Sequence, residues 1–134
     1  MEKYGGVFMA ERRTAVDVAT VFIKAFGTGD MATVTECLAE DVVFQSPRVR
    51  LEGAEAVTAA IGGFAQVVTG VDIIAALGDA EQAVVVYDMR TGPFGTLRTV
   101  DHLVVRDGKI ISDVVVFDTY EMRKAEETQA SAAG

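Results

Sequence analysis

Hydrophobic and polar positions along this chain follow two periods, one in each half. Between residues 11 and 27, Val18, Val21, Phe22, Ala25 and Phe26 recur at three- and four-residue spacing. That stripe predicts an amphipathic helix, which Gly27 and Gly29 end. Asp30 heads a short second helix over 31–40, its carboxylate placed to accept from the first free amides. A β-rich run starts at Asp41, and Pro47, which has no amide proton for a ladder, closes it. A third helix runs from about Glu52 to Phe64, with Gly62 and Gly63 weakening its end. The period then falls to two, predicting strands over 71–77, 83–90, 97–106 and 109–118. Residues 91–96 form a glycine-rich reversal, and Asp107-Gly108 is a hairpin signal. Beyond residue 120 the apolar positions stop, so 121–134 is expected to fray, and residues 1–10 to form a loose arm around a single domain of 11–120.

Helices first and antiparallel strands after make an α+β pattern. The expected architecture is three N-terminal helices packed on a strongly curved antiparallel or mixed sheet, a roll that encloses a conical pocket.

Alternation assigns the faces of the strands. In 97–106, Thr99, Asp101, Leu103 and Val105 share one face, while Arg98, His102 and Arg106 lie on the other. The charged set suits solvent, so Asp101 is expected to point inward, hydrogen-bonded or protonated. A type I turn with a glycine bulge at Arg106-Asp107-Gly108 places Asp113 opposite Asp101, with Val115 and Phe117 on the same face. A plain two-residue turn would instead send Asp113 outward. In 83–90 the expected inward set is Val84, Val86, Asp88 and Arg90, leaving Ala83, Val85, Tyr87 and Met89 outside.

Composition narrows the chemistry. Twelve basic against twenty acidic residues give a net charge of −8, which disfavours nucleic acid and anionic membrane surfaces as partners. One cysteine excludes an internal disulfide and any cysteine-cluster metal site, and one histidine excludes the multi-histidine zinc sites. There is no run of ~18 apolar residues and no secretory signal, and the expected location is cytoplasmic.

Three local signatures carry a family resemblance. They are Phe22-Ile23-Lys24-Ala25-Phe26 followed by Gly27-Thr28-Gly29-Asp30, then Leu38 to Phe44 with Ser46-Pro47, then the hairpin from Val104 to Ile110. Over residues 11–120 the chain resembles the nuclear transport factor 2-like superfamily, and by pattern its SnoaL-like members. The resemblance implies a cystatin-like roll and, among its enzymes, acid–base chemistry in the cone without metal or organic cofactor. Against the ketosteroid isomerase pattern, the general-base aspartate falls on Ser46 and the oxyanion-binding tyrosine on Phe22. Only the second oxyanion donor is kept, as Asp101. Against the limonene-type epoxide hydrolase pattern, one aspartate falls near Asp88, the arginine on Val86 and the second aspartate on Val115. Arg90 lies two residues beyond Asp88 and Asp113 two before Val115, each on the same expected face.

The expected catalytic candidates are therefore Asp101, Asp88 and Asp113. The expected ligand contacts are Phe22, Phe44, Ser46, Val86, Arg90, Leu103, Val115 and Phe117. Apolar walls with convergent acids select a small apolar molecule bearing an oxygen, handled by an isomerase-, cyclase-, dehydratase- or hydrolase-type reaction. The alternatives are a non-catalytic hydrophobic ligand carrier and a dimerising interaction module. A homodimer through the outer sheet face is expected from Val85, Tyr87, Met89, Val100 and Val104.

Overall fold

A computed structural model describes residues 14–133. Helix α1 (Ala15–Thr28) opens on a capping box. The Thr14 hydroxyl accepts from the Asp17 amide at 3.2 Å, and the Asp17 carboxylate accepts from the Thr14 amide at 3.2 Å. It closes on Gly29 at φ 77, whose amide donates back to Ala25 and Phe26. Asp30 caps α2 (Met31–Cys37) by accepting from the Thr33 amide at 3.1 Å. The second helix is thus shorter than its pattern suggested, because Leu38 already belongs to β1 (Leu38–Gln45). Three further residues form β2 (Arg50–Glu52), and α3 spans Ala54–Ala65.

The second half supplies β3 (Val68–Gly78), β4 (Gln82–Thr91), β5 (Thr96–Arg106) and β6 (Lys109–Val116). All six strands form one sheet in the order β2-β1-β6-β5-β4-β3. β1 runs parallel to β6 and every other pairing is antiparallel. Register shifts interrupt β3 against β4 and β6 against β5. Such bulges increase twist and bend a sheet. The concave face wraps α1, whose Val18, Phe22, Ile23 and Phe26 are buried. The architecture is the expected α+β roll, with four helices rather than three among the described residues.

Two expectations need correction. The segment expected to fray forms α4 (Tyr120–Ala133). It is polar nearly all round, and Met122 is its one buried hydrophobic residue, so no apolar stripe announced it. The arm at 1–10 lies outside the described residues. The β5–β6 turn is also not a type I turn with a glycine bulge. Arg106 pairs directly with Lys109, and Asp107 and Gly108 both take positive φ, 52 and 75. That is the two-residue primed turn that suits strand twist. It would turn Asp113 outward, except that Val105 pairs with Ile110 and Val104 with Ser112. Ile111 is therefore an extra residue, and this bulge returns Asp113 to the concave face.

Candidate functional site

Three neighbouring strands bring three polar side chains to one buried place. β4 contributes Tyr87, β5 contributes Asp101 and β6 contributes Asp113, at 3%, 2% and 1% exposure. The expected pairing of Asp113 opposite Asp101 is off by one inward step. Asp101 pairs with Val115 and Asp113 with Leu103, so the two acids are diagonal neighbours on the same face.

The Tyr87 hydroxyl donates to Asp101 Oδ1 at 2.8 Å. Asp113 lies beside Asp101, and two neighbouring carboxyls favour a state in which one holds the proton. Among the described residues, neither Asp113 oxygen has a hydrogen-bond partner. Burial removes the hydration that favours a carboxylate, and this raises both acids. Asp101 is raised to about 6, held from rising further by the neighbouring Asp113 carboxyl and the Tyr87 hydroxyl. Asp113 is pushed well above the carboxylate range by burial and then by the charge of Asp101. Tyr87 is raised too, by burial and the adjacent acids, and remains a donor. Of the two, Asp101 ionises first and Asp113 holds its proton to higher pH.

These groups lie on the wall of a cavity of about 490 Å³ between α1, α3 and the concave sheet. Its remaining walls are mostly apolar: Phe22, Ile23 and Phe26 from α1, Ile61 and Phe64 from α3, Met89 from β4 and Val115 from β6. Phe44, Phe94 and Phe117 complete them, so all six phenylalanines of the described residues line the space. At the mouth, Ser46 Oγ accepts from the Arg48 and Val49 amides at 3.2 Å each, a turn that fixes the β1–β2 loop. The Arg48 guanidinium pairs with Glu126 of α4, and Met122 lies against the same opening.

Seven of the expected site residues line this cavity: Phe22, Phe44, Ser46, Asp101, Asp113, Val115 and Phe117. Leu103 faces inward but is fully buried in the core behind it. Val86, Asp88 and Arg90 do not belong to the site. The face of β4 is the reverse of the expected one, with Ala83, Val85, Tyr87 and Met89 buried. Asp88 lies on the opposite face and accepts from Arg98 Nε at 2.5 Å, which lowers its pKa. Arg90 pairs with Asp72 across β3. The reversal also takes Val85, Tyr87 and Met89 out of the outer face on which the dimer expectation rested. Tyr87 was the consequential omission. A signal for it existed: Ala83, Val85, Tyr87 and Met89 carry no charge, whereas the other face of β4 carries both Asp88 and Arg90.

A SnoaL-like domain model matches residues 19–112. The chain belongs to the SnoaL-like domain family. A comparison with proteins of curated function finds no match. Among solved structures, a protein from Kribbella flavida DSM 17836 is 29% identical with a TM-score of 0.83, over 88% of this chain and 98% of that one. An M. tuberculosis LEH-like epoxide hydrolase is 23% identical with a TM-score of 0.69, over 82% of this chain and 86% of that one. A protein with a cystatin-like fold from Silicibacter pomeroyi DSS-3 is 22% identical with a TM-score of 0.71, over 84% of each chain. The last two likenesses bear on the fold alone. Among the described residues no helix is long and apolar enough to cross a membrane.

Proposed function

We propose that this protein is an acid–base enzyme acting on a small apolar molecule with a carbonyl, hydroxyl or epoxide oxygen. The observation that carries the reading is the Asp113 carboxyl, buried on an apolar cavity wall with no hydrogen-bond partner for either oxygen among the described residues. An unsatisfied buried polar group is costly, and here a ligand oxygen would satisfy it. Protonated Asp113 is the donor to that oxygen. Asp101, held ionised by Tyr87, is the base that receives a proton from the substrate or from a bound water. One acid and one base side by side, separated by their environments, is the arrangement that proton-transfer catalysis requires. The cavity volume suits a molecule of roughly drug size.

The second reading is a carrier that binds such molecules without turning them over. Ser46 favours it, because its hydroxyl is spent on the turn at the mouth and supplies no base there. A panel of apolar ketones and epoxides, incubated with the protein in deuterated buffer and followed by proton NMR, separates the two. The enzyme reading predicts exchange beside the carbonyl or epoxide opening, lost in Asp101→Asn. Binding of panel members with no exchange or opening contradicts it and leaves the carrier.

A further inference from the structure

The buried acids raise a question that oxygen chemistry does not answer, namely what neutralises them. The groups facing them are few. β4 brings Tyr87, which is uncharged, while β5 and β6 bring Asp101 and Asp113 themselves. α1 and α3 bring no titratable side chain to the cavity. Among the described residues, the one cation in the lining is Arg48, at the mouth and already paired with Glu126 of α4. Among the described residues, no lysine or arginine makes an ion pair with either buried acid. A buried charge without a counter-ion is unfavourable, and a cation entering with its own apolar body would relieve it.

We propose that the cavity binds protonated apolar amines, with the ammonium against Asp101 and Asp113 and the organic body among the phenylalanines. This rests on the reading that the cavity is the ligand site, and it adds a ligand class to that site. An ammonium brings N–H donors to the Asp101 carboxylate and to the carbonyl oxygen of the Asp113 carboxyl, which has no hydrogen-bond partner among the described residues. Phe22, Phe44 and Phe117 supply aromatic rings, whose faces attract a cation stripped of water. A bare metal ion is a poorer occupant, because hard cations require six or more oxygens and the apolar walls do not supply them. Carboxylates and phosphates meet like charge and are excluded.

The test uses the full chain and three naphthalene probes: 2-(aminomethyl)naphthalene, 2-naphthalenemethanol and 2-naphthoate, titrated calorimetrically between pH 5 and pH 8. The amine is expected to bind at least about tenfold tighter than the alcohol at pH 8, and the naphthoate not at all. Amine affinity should fall by up to about tenfold per pH unit below 6, as the charge it pairs with is lost. Asp101→Asn/Asp113→Asn should reduce the amine to the affinity of the alcohol, while Glu126→Gln leaves it unchanged. If the alcohol binds and the amine binds no better, the amine inference fails and the cavity reading stands. If the amine binds but depends on Glu126 alone, it sits at the mouth and the inference also fails. If no probe binds, both readings fall.

Discussion

Replacing both buried acids by asparagine should change how stability depends on pH. Unfolded, Asp101 releases its proton near 3.8; folded, burial holds the proton until about 6. Between those values the folded state binds more protons than the unfolded state. The contribution is therefore fully present below the unfolded value and lost as pH rises through about 6. At about 1.4 kcal/mol per pH unit, the difference comes to roughly 3 kcal/mol. Asp113 acts with the same sign from the same unfolded value and on to higher pH, because its pKa is raised further. Asp30 and Asp79 are shifted downward and act with the opposite sign, but they are present in both proteins and cancel in the difference. The amide introduced by Asp101→Asn keeps an acceptor for the Tyr87 hydroxyl, so the hydrogen bond can persist. Urea unfolding followed by circular dichroism, at steps from pH 4 to pH 8, measures both proteins. The double variant should gain more than the roughly 3 kcal/mol of the Asp101 share on the parent across that range, a Tm difference of about 10 °C or more for a domain of this size. Parallel curves would show that the acids titrate as exposed ones do, and the electrostatic account of the site would be wrong.

Tyr87→Phe removes the donor that lowers the Asp101 pKa, so the Asp101 midpoint should move upward. Stability should drop by about 1.5–3 kcal/mol at pH 8 and by less at pH 4, where Asp101 is protonated; an equal loss at both would refute the charged bond. Asp88→Asn should leave ligand binding unchanged, because Asp88 meets Arg98 on the convex face; altered probe affinity in calorimetry would refute that placement. The convex face exposes Leu77 at 69%, Val116 at 59% and Val84 at 39%, beside the half-buried Val86, Val100, Val104 and Val114. We expect a homodimer through this face, with light scattering giving twice the chain mass and Val100→Asp returning a monomer; a monomer of the parent protein at micromolar concentration would contradict it.

The path from sequence to site was open where charge marked a face and closed where it did not. Arg98, His102 and Arg106 declared the outer side of β5, and Asp101 followed as the inward acid. β4 offers two mostly apolar faces, so alternation alone does not separate the inward set from the outward one, and the expectation put Asp88 and Arg90 inside. Those two residues instead pair with Arg98 and Asp72 outside, and Tyr87 takes the place inside. Asp113 reached the concave face as expected, but by another route. The turn is the plain one, and the bulge at Ile111 corrects the register. Nothing in Ile110-Ile111-Ser112 marks a bulge, because bulges answer to twist and pairing across strands, which a local pattern does not encode. Helix α4 was missed for a similar reason. It docks through Met122 and the Arg48–Glu126 pair, contacts far apart in sequence.

Of the two buried acids, one ionises first and its neighbour holds the proton to higher pH. Carbon-13 NMR of the aspartate carboxyls, titrated from pH 4 to pH 8, reads this directly. Asp101 is expected to titrate near 6 and Asp113 at a higher pH than Asp101. Two buried aspartates that both ionise near their ordinary value of 3.8 would contradict it.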